Sequence, residues 1–93
     1  MHDLTSLHRD LLVVIAGLDD PSGQEVKEEL ADYYGDDINF GNLYSNLDRL
    51  VRKGLVDKGA IDGRTNYYRL TRRGRRVLKD RRSWENEQIA DRI

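Results

Sequence analysis

The sequence has no cysteine among its 93 residues, and only one proline, one tryptophan, one phenylalanine and two histidines. Without cysteine there is no disulfide framework, no thiolate metal site and no cysteine nucleophile. His2 and His8 both lie near the N-terminus with no metal-ligand spacing to carboxylates. No phosphate-cradling glycine loop and no nucleophile–base pair is present, and Asp36-Asp37 reads as a turn rather than a catalytic dyad. The expectation is a protein that is not an enzyme and has no metal and no cofactor. No apolar run approaches the ~18–20 residues that span a bilayer. The N-terminus also lacks the basic-then-apolar order of a signal peptide. A soluble, cytoplasmic protein with no membrane partner is expected.

Lysine is scarce as well. Twelve of the sixteen basic residues are Arg, and twelve of the seventeen acidic residues are Asp. Such Asp-rich, Lys-poor composition resembles that of salt-accumulating halophiles, as in a haloarchaeal or archaeal-virus protein. The formal net charge of −1 hides a partition. Residues 1–37 carry ten acids against Arg9 and Lys27, a net −8. Residues 38–82 carry thirteen bases against four acids, a net +9, and the remainder carries −2. The basic middle is a candidate anion-binding surface, because distribution matters more than the sum when a patch is sought.

A chain this short makes one domain, residues 1–93, and buries only about 60–65% of its unfolded surface. A monomer of that size is marginal, so a second copy is expected. Leu4, Leu7, Leu11, Leu12, Val14, Ile15 and Leu18 form a broad stripe on a first helix running from Thr5 or Ser6 to Ala16. Ser22 and Glu25 make a capping box at the start of a second helix. That helix buries Val26, Leu30 and Tyr33 or Tyr34, and Gly35 is its natural stop. Asn39 caps a third helix, which ends where Arg52 and Lys53 precede Gly54. Asp62-Gly63 marks a hairpin between "LVDKGAI" and "TNYYRL", with Tyr68 and Leu70 facing the core. Thr71 caps a fourth helix that runs almost to the end and holds Gly74 at a cost of up to ~1 kcal/mol relative to Ala.

The third helix, in "NFGNLYSNLDRLVRKGLV", is the informative one. Leu43, Leu47, Leu50 and Val51 recur on one side of a 3.6-residue period. The other side offers Asn42, Ser45, Asn46, Arg49 and Arg52, with Asp48 its only acid. Two helices, a tight turn and a polar second helix make a helix-turn-helix, and the hairpin after it is a wing. Asn pairs with adenine, Arg with guanine and Ser with either in the major groove. Asn42, Ser45, Asn46 and Arg49 are therefore the expected base readers. Backbone contacts are expected from Ser22, Gln24, Gly41, Arg52 and Lys53, and from Lys58, Arg64 and Asn66 on the wing. Gly41 equally reads as a tolerated glycine, and Ser22 as a cap alone. The arginines at 72, 73, 75, 76, 81 and 82 cannot all face one way, so some are solvated or paired with the acidic N-terminal part.

"INFGNLYSNLDRLVRKGLVDKG" followed by "RTNYYRLTRRGRRVL" resembles the PadR-like winged-helix transcriptional regulators over residues 7–80. Gly41, Asn42, Leu43 and Tyr44 match their Gly-x-Leu-Tyr element. Leu47, Leu50, Gly54, Leu55 and Val56 match the Leu-x-x-Leu and Gly-Leu-Val segments, and Tyr67 through Gly74 match Tyr-Tyr-x-Leu-Thr-x-x-Gly. Phe40 stands where the family often has Pro. The C-terminal part is shorter than in many members, so no large effector domain is expected. The resemblance implies a mainly α winged helix-turn-helix of order α-α-α-β-β-α and a dimeric repressor of double-stranded DNA, with Tyr44 contacting phosphate.

Residues 71–93 are the expected dimerisation helix, packed on the first helix of a partner. Leu70, just before it, and Val77 and Trp84 within it lie seven apart. Leu4, Leu7, Leu11, Val77, Trp84 and Ile89 are the interface candidates, and a pseudo-palindromic operator follows from two wings. Trp84 folding back onto its own domain is the competing arrangement. No small-molecule effector is named by the sequence. The rival function is a winged helix that binds protein, but such an interface favours aromatic and aliphatic anchors over Asn, Ser and Arg.

Overall fold

The computed structural model describes residues 4–36 and 39–93, together with the backbone alone of Phe40. His2, Asp37 and the Phe40 side chain lie outside the described residues, so the expectations placed on them stay as stated. Four helices and one hairpin follow in the order α1 (Ser6–Gly17), α2 (Gly23–Tyr34), α3 (Phe40–Arg52), β1 (Val56–Ala60), β2 (Asn66–Leu70) and α4 (Arg72–Ile89). This is the expected α-α-α-β-β-α order.

Each helix begins where a side chain satisfies its free N–H groups. Thr5 Oγ1 accepts from the His8 N–H at 3.1 Å, so Thr5 rather than Ser6 is the cap of α1. Ser22 and Glu25 exchange the two bonds of a capping box at 3.1 and 3.0 Å. Asn39 Oδ1 accepts from the Asn42 N–H, and Thr71 Oγ1 from the Gly74 N–H. The ends of α2 and α3 close on Gly35 and Gly54, with φ of 73° and 76°. Only glycine reaches that region at no steric cost.

The core is the set of leucine stripes read from the sequence. Leu11, Leu12, Val26, Leu30, Leu43, Leu47 and Leu50 are fully buried, with Val56, Tyr68 and Leu70 closing it from the hairpin. Truncating one of these leucines to Ala costs about 2–5 kcal/mol. α1 packs against α2, α3, α4 and β2, so it is the hub of the molecule. Leu4 and Leu11, expected at a dimer interface, belong to this core, at 6% and 0% exposure. The exposed large apolar residue of α1 is Val13, at 57% exposure.

The expectation for Tyr33 and Tyr34 is corrected, because both are exposed rather than buried. Leu30 completes the inner side of α2, and one more turn carries the chain past the core. The Tyr34 hydroxyl instead donates to Asp10 Oδ2 at 2.5 Å. Partial desolvation, then that bond, raises its pKa to about 12.

β1 and β2 pair antiparallel from Val56↔Leu70 to Ala60↔Asn66. The α1–α2 loop is tied to this two-stranded hairpin by a single bridge: Tyr68 N–H donates to Pro21 O at 2.9 Å, and Ser22 pairs with Tyr67. Gly74 has a reason the sequence did not show. A Cβ placed there would lie 2.1 Å from Leu55 O, so its absence lets α4 pass directly over the β1 entry. Beyond Arg82 the residues of α4 are all exposed, and the helix projects from the body.

Candidate nucleic-acid interface

The inner face of α3 is sealed by Leu43, Leu47 and Leu50, which fixes what the other face presents. Asn42, Ser45, Arg49 and Arg52 are exposed at spacings of three, four and three, a single stripe down the helix. Arg49 and Arg52 stand in its last turn, where the helix dipole favours cations. Ser45 Oγ donates to Asn42 O at 3.3 Å. Gly41 is exposed, and a Cβ there would come within 3.1 Å of Asn39 Oδ1, so the glycine leaves room for the cap.

Asn46 is placed differently from the rest of the expected base readers. It is half-buried at the edge of the stripe. Its Oδ1 lies 2.6 Å from His8 Nε2, and its Nδ2 donates to Asn42 O at 2.6 Å. No local periodicity links residues 38 positions apart, so this bond was not legible in the sequence. Tyr44 lies with its ring against Gly23, in the first turn of α2; a Cβ on Gly23 would fall 2.4 Å from that ring. The two helices of the motif are thereby held in close approach at their N-terminal ends. Ser22 is committed to its capping box, and Gln24 Nε2 donates to Glu28 at 2.9 Å.

The wing is tied at its base and open at its tip. Lys58 Nζ meets Asp48 Oδ1 of α3 at 3.3 Å, so the acid that stood out on the recognition face is matched from β1. Arg69 of β2 makes a two-pronged pair with Asp20 in the α1–α2 loop and stacks over the Tyr67 ring at 5.3 Å. That bond holds the Asp20 carboxyl below the ordinary aspartate range and pushes the Arg69 guanidinium up. The Tyr67 ring covers Gly59, its partner across the hairpin. At the tip, Asp62 Oδ1 accepts from the N–H groups of Arg64 and Thr65 at 2.8 and 2.9 Å, which lowers its carboxyl pKa and sets the turn. Arg64 and Asn66 are exposed there. Arg64, Arg49 and Arg52 give the α3–wing side its positive character, whereas the exposed residues Glu28, Glu29 and Asp32 make α2 acidic.

The Transcriptional regulator PadR-like family matches residues 11–80. The chain belongs to the PadR-like family of transcriptional regulators. Its members are regulators rather than enzymes. This PadR-like chain is also similar to a complex structure of hsRosR, at 42% identity and a TM-score of 0.92 over 97% of this chain and 80% of that one. H. salinarum RosR grown from NaBr matches at 40% identity and a TM-score of 0.92, covering 96% and 80%. A mutant E. coli MarR complexed with operator DNA matches at 27% identity and a TM-score of 0.74, covering 85% of this chain and 54% of that one. The comparison with curated proteins returned no match. Among the described residues, no group of three His, Asp or Glu could hold a metal ion, and no helix is long and apolar enough to cross a membrane.

Proposed function

We propose that this PadR-like regulator is a sequence-specific repressor that binds a pseudo-palindromic site on double-stranded DNA as a homodimer. The observation that carries the reading is the exposed stripe of Asn42, Ser45, Arg49 and Arg52 on α3, beside a wing tipped by Arg64. A major groove about 12 Å wide accepts one such helix. Asn42, Ser45 and Arg49 meet base edges, while Gly41, Tyr44, Arg52, Lys53 and Arg64 approach phosphates, with Lys58 and Asn66 flanking them from the wing. Operator DNA bound to the MarR relative supports DNA as the partner.

Dimerisation is supported by what this chain leaves uncovered. Trp84 is 50% exposed with Arg81 stacked 4.8 Å from its ring, and Ile89 and Val13 are exposed too. Between α1 and α4 runs a groove of about 710 Å³, lined by Val13, Ala16, Leu70 and Leu78, by the bases Arg9, Arg75 and Arg82, and by the acids Asp10 and Glu85. A second copy's α4 brings the exposed Trp84 to such a largely apolar groove. Val77 and Leu7 are half-buried already and contribute less. Cytoplasmic location follows from the same reading. The Asp- and Arg-rich surface and the likeness to H. salinarum RosR support operation in high salt.

The test is fluorescence anisotropy of a labelled duplex from upstream of the protein's own gene, titrated across a KCl series against a random duplex. Selective binding with a negative log–log salt slope is expected. Equal, weak binding to both duplexes at every salt overturns the reading.

A further inference from the structure

His8 is a buried polar residue, 2% exposed, on the α1 face that packs into the core, and the DNA-binding reading gives it no role. Its surroundings determine how its ring is used. The ring's Nδ1 accepts a long bond, 3.4 Å, from the Thr5 N–H. The other nitrogen, Nε2, therefore carries the hydrogen and donates it to Asn46 Oδ1 at 2.6 Å. The far side of Asn46 gives the same assignment independently. Asn42 O is an acceptor only, so the atom 2.6 Å from it must be the amide nitrogen, which leaves the oxygen for His8. One chain of donors and acceptors thus runs from the cap of α1 through His8 and Asn46 to the first turn of the recognition helix.

Asparagine reads adenine by presenting its oxygen and its nitrogen side by side. In this protein both atoms of the Asn46 amide already have partners within the fold. We infer that His8 is a specificity-setting positioning residue: it withholds the Asn46 amide from the DNA, so that base reading falls to Asn42, Ser45 and Arg49. This inference rests on the DNA-binding reading. It also explains a half-buried asparagine beside the exposed stripe of Asn42, Ser45, Arg49 and Arg52. A leucine at position 8 would fill the same space, but it would leave that amide free to turn outward.

The experiment is selection of preferred sites from a randomised duplex library with the full chain, comparing wild type, Asn46→Ala, His8→Leu, the double variant and His8→Gln. Circular dichroism melting confirms folding in each case. Asn46→Ala is expected to keep the wild-type base preference at every position, with any loss of affinity spread evenly over sequences. His8→Leu is expected to gain an adenine preference at one position, on the order of tenfold. The double variant loses that gain, and His8→Gln, whose amide N–H can still donate to Asn46, keeps the wild-type preference. Loss of an adenine preference in Asn46→Ala overturns the inference, because Asn46 would then be reading a base. An unchanged preference in folded His8→Leu overturns it as well. Should His8→Leu not fold, Asn46→Ala decides alone. A wild-type protein with no preference at all overturns the DNA-binding reading itself and this inference with it, a result distinct from the other two.

Discussion

Arg69 and Asp20 are joined by two hydrogen bonds, Nε to Oδ1 at 2.8 Å and Nη2 to Oδ2 at 2.6 Å, and this pair fastens the wing to the loop between the first two helices. Asp20 holds a positive φ of 46°, a conformation that Asp and Asn tolerate better than other side chains. Asp20→Asn therefore removes the charge with little added backbone strain. The Tyr68 amide, which bonds Pro21 O beside this pair, is expected to exchange its hydrogen faster in the variant. Exchange at the wild-type rate would show that the strand bond holds the wing without the ion pair.

The same pair has a pH signature. The folded carboxyl of Asp20 titrates below the ordinary aspartate range because Arg69 bonds its charged form. Its contribution is thus complete above that range, near pH 4, and is lost as pH falls through the lowered folded value. Tyr68 amide exchange is expected to depend on pH in this window more steeply in wild type than in Asp20→Asn. Identical profiles would contradict the assignment.

Arg49 is placed on the exposed stripe, one turn beyond Ser45. Arg49→Ala is expected to weaken binding to the preferred site by about 1–3 kcal/mol while sparing random DNA. Anisotropy against both duplexes measures this directly. An equal loss on both would make Arg49 a phosphate contact.

Gly74 tests the packing of α4. In an exposed helix, Gly→Ala gains up to about 1 kcal/mol. Here the new methyl would meet a backbone oxygen that cannot swing aside, so Gly74→Ala is expected to destabilise by about 1–3 kcal/mol. Gly17→Ala, with nothing within 4 Å, is the control and should be neutral or stabilising. Urea unfolding of the two variants gives the comparison, and a stabilised Gly74→Ala would contradict the close approach.

Local physics explains how much of this was legible in the sequence. Thr5 or Ser6, Ser22 with Glu25, Asn39 and Thr71 marked the helix starts, because capping involves residues within one turn. Asp62-Gly63 marked the hairpin for the same reason, and the leucine stripe of α3 fixed its inner face. Features set by tertiary packing were not legible. Leu4 and Leu11 looked surplus to one small core, yet α1 touches every other helix and uses them. Tyr33 and Tyr34 lie in phase with Leu30 but overrun the core. His8 looked idle because its partner, Asn46, is 38 positions away. The glycines at 23, 59 and 74 gave no sign of which ring or carbonyl they admit.

Removing residues 84–93 takes away Trp84 and Ile89, the apolar groups exposed on the projecting part of α4. Sedimentation of the shortened chain is expected to give monomers. Within the full chain, Trp84→Ala is expected to raise the dimer dissociation constant about 30-fold, the effect of losing an interface anchor of roughly 2 kcal/mol. A shortened chain that still sediments as a dimer would remove Trp84 from the interface.

Under the proposed function, the exposed face of α3 and the wing meet DNA. Amide chemical-shift mapping of the isotope-labelled protein, titrated with a duplex from upstream of its own gene, tests it most directly. The largest shifts are expected at Asn42, Ser45, Arg49 and Arg64, with Glu29, Asp32 and Tyr33 on α2 nearly unmoved. Shifts concentrated on α2, or none along α3, would contradict it.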